Sequence, residues 1–290
     1  MTLFDNMTTV SVYTAITVTL MIWFGAGRNP FTVAGLFLRE LIFNRKYMLH
    51  FVALILILFC NKFELQIESH MKQAHDFATL FQSIEGNFVS TLQHTFENKY
   101  LTPILAFMYV VVFQAMLIAS IAIYTNRSKD RMMFYAICYA IMINYLVAIP
   151  FYLFFPVSEV WYHDPQHVRF LMLDAFPDFE NQYRALSGLN NCFPSLHTSI
   201  SVTLAILAVR SGIKRWAWFC SISAAIIIFT IFYMGIHWLI DMCGGLVLAT
   251  IAATVGMKLS RLTLAQRSRR GRSLTPSATS QVQFLSEDAK

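Results

Sequence analysis

The stretch that decides the fold runs from Trp238 to Met257 and reads WLIDMCGGLVLATIAATVGM. It contains a single charged residue, Asp241. About 20 apolar residues of helix are enough to cross a hydrocarbon core roughly 30 Å thick, so the stretch predicts a membrane-spanning helix. A carboxylate at this depth is costly unless a partner satisfies it. We therefore also expect a polar group close to Asp241.

The rest of the chain has the composition of a membrane protein. Of its 290 residues, 57% are hydrophobic and only 13% are charged. Soluble domains carry roughly 25% charged residues, so this chain has too little polar surface to coat a soluble particle. Disordered, collagen-like and coiled-coil classes are excluded with the soluble ones. The five cysteines show no CxxC spacing, which argues against a zinc finger or a disulfide scaffold.

We predict seven membrane spans and an all-α, polytopic membrane fold. The spans are the apolar stretches 8–25, 47–61, 101–124, 132–155, 196–209, 216–233 and 238–257. Two of them, 47–61 and 196–209, are short and need flanking residues to reach across the membrane. The stretch from Pro30 to Asn44 has a helical pattern that fits either an interfacial helix or an ordinary connecting helix.

The charged residues divide sharply between the two sides that seven spans define. The connections after spans one, three and five, together with the C-terminal tail, contain 17 basic and 4 acidic residues. The N-terminus and the other two long loops contain 5 basic and 11 acidic residues. By the positive-inside rule the N-terminus lies outside and the C-terminus in the cytoplasm. The net charge of +6 then reflects topology, and we expect no nucleic-acid partner.

The predicted spans divide the chain into three parts. Residues 1–45 form an N-terminal transmembrane helix with the interfacial helix, and residues 46–258 form a six-helix membrane domain. Residues 259–290 are basic, then rich in serine and threonine, and lack apolar periodicity. We predict that this last part is a disordered cytoplasmic tail.

Two histidines and an aspartate carry the predicted chemistry. His237 and Asp241 are four residues apart and share one helical face, so the carboxylate can accept a hydrogen bond from the imidazole. Such a partner makes the far imidazole nitrogen a better nucleophile. His197 begins another span on the same side and could protonate a departing oxygen. Ser195 follows Pro194 at a predicted helix N-terminus, which favours an anion such as phosphate.

Phosphoryl transfer also requires donors for the equatorial oxygens of the transition state. Arg169 and Arg184 lie in the loop that leads to Pro194, and we predict that they bind the substrate phosphate. A different interpretation uses His197, His237 and Asp241 as a metal site, which these residue types allow. No fourth ligand lies at ligand spacing, so we expect no metal.

Two segments resemble the second and third signature motifs of the type 2 phosphatidic acid phosphatase superfamily. They are Phe193-Pro-Ser-Leu-His197-Thr and Tyr233-Met-Gly-Ile-His237-Trp-Leu-Ile-Asp241-Met-Cys-Gly-Gly. The resemblance implies a six-helix phosphatase-type bundle, here with one N-terminal helix added, and no cofactor. It makes His237 the nucleophile that becomes a phosphohistidine, Asp241 its orienting partner and His197 the general acid. Ser195 matches the serine that contacts phosphate.

The chain departs from the phosphatase pattern at three points. Leu196 stands where those enzymes have glycine, Ile231 stands where they have arginine, and their first motif is not found near Pro156. The sequence Pro-Ser-Leu-His resembles the inositol phosphorylceramide synthase-like branch instead. We therefore predict a phosphotransferase that acts on a membrane lipid phosphoester and an alcohol acceptor. The alternative is a lipid phosphate phosphatase with water as acceptor; a non-enzymatic transporter or scaffold is the third reading.

The charge distribution gives a testable topology, in which residues 62–100 and 156–195 face the exterior or lumen. A cysteine introduced at Ser83 should react with a membrane-impermeant thiol reagent applied from outside. A cysteine at Thr275 should react only after the membrane is permeabilised. The opposite pattern would reverse the orientation.

Overall fold

A computed structural model describes residues 2–70, 76–127 and 131–273, and these form helices joined by loops. The helices are α1 (Met7–Ala26), α2 (Pro30–Phe43), α3 (Arg45–His70), α4 (Ala78–Glu85), α5 (Phe88–Phe96), α6 (Leu101–Phe107), α7 (Phe113–Arg127), α8 (Met132–Phe154), α9 (Val160–His163), α10 (Met172–Ala175), α11 (Phe179–Gln182), α12 (Arg184–Ser187), α13 (Leu196–Arg210), α14 (Lys214–Tyr233) and α15 (Leu239–Ser273). A π-helical turn, Met108–Val112, joins α6 to α7. The described ranges contain no β-strand. The predicted all-α class is confirmed.

Among the residues that the structure describes, five helical stretches are long and apolar enough to cross a membrane. They are Met7–Ala26, Leu101–Asn126, Met132–Phe154, Lys214–Tyr233 and Leu239–Ala265. A sixth crossing results if the pair Pro30–Phe43 and Arg45–Cys60, bent by 102°, is counted as one span. The protein is therefore a polytopic membrane protein, as predicted. The predicted span 196–209 corresponds to α13, whose 15 residues reach only about 22 Å at 1.5 Å per residue.

Contacts between loops divide the helix ends into two groups that match the two charge classes. At one end the N–H groups of Leu3 and Phe4 donate to the carbonyl oxygen of Ala175, at 2.8 and 3.0 Å. At the other end Arg131 pairs with Glu40 at 2.7 Å. The N-terminus thus lies with the acidic connections. Which end faces the cytoplasm remains a prediction.

The long helices pack around α8, α13 and α15. Helix α15 runs along α8 and also contacts α13, which in turn packs on α14. The contact between α15 and α8 is close at Gly256. A Cβ atom there would lie 2.8 Å from the carbonyl oxygen of Ala136. Small residues commonly permit such approaches between membrane helices. Helices α1 and α2 both pack on α7, so the N-terminal part is attached to the bundle.

Short helices from two loops cover the end of the bundle where α15 begins. The indole Nε1 of Trp238 donates to the carbonyl oxygen of Ser158 at 2.9 Å. The amide Nε2 of Gln93 donates to the carbonyl oxygens of Arg169 and Tyr233, at 2.8 and 2.9 Å. These bonds join three separate parts of the chain at one place. The loop between α14 and α15 is therefore held from both sides.

Helix α15 is longer than the sequence predicts. Its hydrogen-bonded backbone continues to Ser273, whereas we expected disorder from residue 259. Basic residues are good helix formers, and the preceding apolar span has already formed the helix nucleus that an isolated tail would lack. Residues 274–290, including Thr275, lie outside the described residues. The helical pattern predicted for Pro30 to Asn44 is confirmed by α2.

Gly245 provides a direct test of the α13–α15 contact. A Cβ atom there would lie 2.7 Å from the carbonyl oxygen of Ser195 and 2.9 Å from Cβ of Thr198. Gly245→Ala should therefore lower the free energy of unfolding by about 1–3 kcal/mol, which is the typical cost of inserting an extra methyl group into a packed core. Gly35→Ala is the matched control, because nothing lies within 4 Å of its added atom. Equal unfolding temperatures for both variants in detergent would contradict this packing.

Candidate active site

His237 lies in a tight connection between α14 and α15. Gly235 adopts a φ of +75°, and a Cβ atom there would meet the carbonyl oxygen of Arg169 at 2.8 Å. Glycine is thus required both by the backbone conformation and by the close approach. The N–H groups of Ile236 and His237 then donate to the carbonyl oxygen of Ile231, at 3.0 and 3.2 Å. These bonds fix the imidazole just before the first turn of α15.

His237 and Asp241 form the predicted contact. Nδ1 of His237 lies 3.3 Å from Oδ2 of Asp241, and both side chains are buried. Since a carboxylate can only accept, Nδ1 carries the proton and Nε2 keeps its lone pair. The same Oδ2 accepts the N–H of Trp238 at 2.8 Å, as an acidic residue in the third helical position commonly does. Asp241 therefore orients His237 and begins the helix at the same time.

His197 lies in the first turn of α13 and faces His237. The centroids of the two imidazole rings are 6.1 Å apart. The ring of Tyr109 stacks on His197 with centroids 4.0 Å apart, and Phe113 contacts it at 4.6 Å. Tyr109 belongs to the π-helical turn, a feature often found at functional sites. The two histidines are brought together, with the imidazole of His197 held between aromatic rings.

The start of α13 is tied directly to α15. Ser195 is the N-cap of α13, and its Oγ accepts the N–H of Thr198 at 3.3 Å. Its own backbone N–H donates to the carbonyl oxygen of Asp241 at 3.1 Å. Ser195 is fully buried and does not line the adjacent cavity. The structure therefore gives its hydroxyl a capping contact; the predicted contact with phosphate stays a prediction.

A cavity of about 450 Å³ opens beside the two histidines. Most of its walls are aromatic or aliphatic, including Leu58, Tyr109, Phe113, Tyr145, Tyr152, Leu196, Ile200 and Ile236. Its polar lining includes Gln114, Glu159, Asn191 and Cys192. Within the part of the chain that the structure describes, no arginine or lysine lines it. The volume and the apolar walls suit a lipid-like molecule.

The two arginines predicted to bind phosphate lie in different surroundings. Arg184 is bound by Glu159, through bonds of 2.6 and 3.0 Å, and by Glu180 at 2.7 Å. Burial raises the pKa of the Glu159 carboxyl, and the charge of Arg184 opposes that rise. Because Glu159 lines the cavity, Arg184 lies directly behind its wall. Arg169 instead pairs with Glu97 on the exposed surface, where 62% of its side chain is accessible.

The two departures at Leu196 and Ile231 also differ in position. Leu196 lines the cavity, so the absence of glycine adds apolar surface next to His197. Ile231 is buried in the core, and its carbonyl oxygen holds the loop that carries His237. Only Leu196 therefore changes the character of the cavity. The side chain of Ile231 does not reach the cavity, so this departure leaves the apolar lining as it is.

Sequence reasoning missed two residues of this site. Cys192 lines the cavity, and its Sγ lies within 4.8 Å of a nitrogen of His237 and an oxygen of Asp241. The metal site considered in the sequence analysis used His197 instead of Cys192. Cys192 directly precedes Phe193, the first residue of the second signature motif, and this position was the available signal. The second missed residue is Glu85, which is 154 residues from Leu239 in the chain.

Glu85 caps the helix that carries Asp241. An N-cap side chain usually accepts an N–H of the first turn, which the indole of Trp238 cannot do. The carboxylate of Glu85 accepts the N–H groups of Leu239 and Ile240 instead, at 2.7 and 2.6 Å. Burial raises the pKa of Glu85, and these two backbone bonds oppose the rise. A residue of α4 thus completes the first turn of α15.

Residues 75–255, which are 181 of the 290 residues, match the PAP2 superfamily. The chain belongs to this superfamily. The matched range includes both histidines, Asp241, Cys192 and Glu85. Searches of curated proteins and of solved structures gave no match.

Replacing Glu85 tests whether it holds the first turn of α15. Hydrogen bonds to a charged acceptor contribute about 1.5–3 kcal/mol each. Glu85→Ala should therefore lower the free energy of unfolding by at least about 1.5 kcal/mol. It should also speed amide exchange in the peptide that covers residues 238–245, measured by hydrogen–deuterium exchange. Glu97→Ala, which removes an exposed ion pair, should change neither quantity appreciably. Unchanged exchange in Glu85→Ala would show that Glu85 is not the cap.

Proposed function

We propose that this protein is a membrane phosphotransferase that moves a phosphoryl-headgroup from a lipid phosphoester onto an alcohol through a phosphohistidine at His237. Membership of the PAP2 superfamily supports a phosphatase or phosphotransferase of lipid phosphoesters in general. One observation carries the finer proposal. His237, with Asp241 at its Nδ1, opens onto an apolar cavity that it shares with His197.

In the first step, Nε2 of His237 attacks the phosphorus atom of the lipid phosphoester. A P–N bond forms while the P–O bond to the lipid alcohol breaks, and His197 gives its proton to the departing oxygen. Positive charge that develops on the imidazole of His237 is stabilised by Asp241, 3.3 Å from Nδ1. The lipid alcohol leaves, and the phosphoryl-headgroup remains on the enzyme.

In the second step, the acceptor hydroxyl attacks the phosphorus of the phosphohistidine. His197 now takes the proton of that hydroxyl, the P–N bond breaks, and His237 returns to its starting state. Water and an alcohol can both act as the acceptor in this step. The outcome depends on how well the site excludes water and positions the alcohol.

The cavity favours the alcohol for a physical reason. Its walls are mainly aromatic and aliphatic, and Leu196 adds apolar surface beside His197. An apolar wall lowers the local concentration of water and accommodates the chain of a lipid alcohol. The Pro-Ser-Leu-His sequence points the same way, toward the inositol phosphorylceramide synthase-like branch. A phosphatase using the same residues is the alternative.

The phosphate oxygens also need donors. Arg184 is the better placed of the two predicted arginines, because it lies behind Glu159 at the cavity wall, whereas Arg169 is on the exposed surface. The first turn of α13 supplies backbone N–H groups and the positive end of the helix dipole next to His197. We assign direct phosphate binding to this helix end, while Arg184, paired with Glu159 and Glu180 behind the cavity wall, contributes its positive charge.

The proposal is tested by comparing how much phosphoryl-headgroup is transferred to an alcohol and how much to water. Purified protein is given a phospholipid labelled in its phosphoryl-headgroup, together with inositol, ceramide or a glycerolipid, and the transferred and hydrolysed products are measured. Transfer to at least one alcohol should exceed hydrolysis. His237→Ala should give neither product, and His167→Ala, a change at an exposed histidine, should behave like the wild type. If inorganic phosphate or free headgroup phosphate dominates with every acceptor, the phosphatase alternative is correct.

A further inference from the structure

Three buried side chains of different chemistry lie close together beside the cavity, and Cys192 and His237 line it. They are Cys192, His237 and Asp241, and one ligand atom from each lies within 4.8 Å of the other two. Only Oδ2 of Asp241 is used by His237 and Trp238. Its Oδ1 is buried and has no hydrogen-bond partner among the described residues. A buried carboxylate oxygen without a partner is costly.

The spacing of these groups fits a tetrahedral zinc ion. Zinc binds nitrogen and oxygen at about 2.0–2.2 Å, so two such ligands of a tetrahedral ion lie roughly 3.3 Å apart. Nδ1 of His237 and Oδ2 of Asp241 are 3.3 Å apart, which is long for a charge-assisted hydrogen bond. A sulfur ligand at about 2.3 Å from the ion lies somewhat farther from the other two ligands. Sγ of Cys192 lies within 4.8 Å of a ligand atom of each of the other two residues, so the thiolate moves toward the ion on binding.

We propose that Cys192, His237 and Asp241 form an inhibitory zinc site that switches the enzyme off. Three protein ligands leave the fourth position of the ion open to the cavity, where water completes the tetrahedron. The set of sulfur, imidazole and carboxylate favours Zn²⁺ over Mg²⁺ or Ca²⁺, which take oxygen ligands. Inhibition rests on the proposed function of His237, whereas binding of the metal does not.

Zinc inhibits the enzyme because it binds His237 and Asp241, which the reaction also uses. On binding, the thiol of Cys192 loses its proton to the solvent, and the carboxylate of Asp241 is bound to the ion. The proton on Nδ1 of His237 moves to Nε2, and Nδ1 donates its lone pair to zinc. Nε2 then has no lone pair with which to attack phosphorus, and Asp241 is held by the ion. No electron transfer is involved, and removal of the metal restores the starting state.

Metal binding is tested directly with Co²⁺, which reports a thiolate ligand through a charge-transfer absorption band. The full-length protein in detergent should bind one Co²⁺ with this band, and added Zn²⁺ should remove it. Cys192→Ser should lose the band, and Asp241→Asn should weaken Co²⁺ binding by at least about tenfold. Cys243→Ser, which changes an exposed cysteine, should keep the band and the affinity. Absence of the band in the wild type, or its persistence in Cys192→Ser, would overturn the site.

The activity assay separates this proposal from the proposed function. The Zn²⁺ concentration that halves turnover should rise at least about tenfold in Cys192→Ser and stay unchanged in Cys243→Ser. If Co²⁺ binds as described but no phosphoryl transfer or hydrolysis is detected, the site stands and the proposed function fails. If turnover is normal and no Co²⁺ band forms, the zinc site fails and the function stands.

Discussion

A fully buried carboxylate at the start of a membrane-spanning helix is the constraint on which the rest of this structure depends. Asp241 has no exposed surface, and its oxygens must be satisfied by the protein. Oδ2 accepts the N–H of Trp238 and contacts Nδ1 of His237. This arrangement requires the chain to turn sharply just before α15, which Gly235 permits. The imidazole is then held in one tautomer, with Nε2 as its free nitrogen.

The loops outside the membrane do more than connect spans. Glu85 caps the first turn of α15, Gln93 holds the end of α14, and the carbonyl oxygen of Ser158 accepts the indole N–H of Trp238. Each contact joins the segment around His237 to a residue at least 80 positions away in the chain. Precise geometry at the histidine pair thus depends on tertiary contacts, and not on the two short motifs alone.

Much of this could be predicted from the sequence, and the exceptions have physical causes. The membrane class follows from composition, and the contact between His237 and Asp241 follows from their spacing of four residues on a helix. Cys192 and Glu85 could not be found this way, because tertiary packing brings them to the site and no periodicity records it. The pairing of Arg184 with Glu159 spans 25 residues of one loop and also has no periodic signal. The helix beyond residue 259 was missed because the apolar span that precedes the tail extends it.

The central claim, that His237 is the nucleophile oriented by Asp241, is tested most directly by trapping the covalent intermediate. Purified protein is mixed with a lipid phosphoester, stopped rapidly under alkaline conditions that preserve phosphohistidine, digested and mapped by mass spectrometry. The phosphoryl-headgroup, or phosphate alone if the substrate is a monoester, should be found on His237 and should be absent after His237→Ala. An adduct on any other residue, or an unchanged adduct in His237→Ala, would contradict the account.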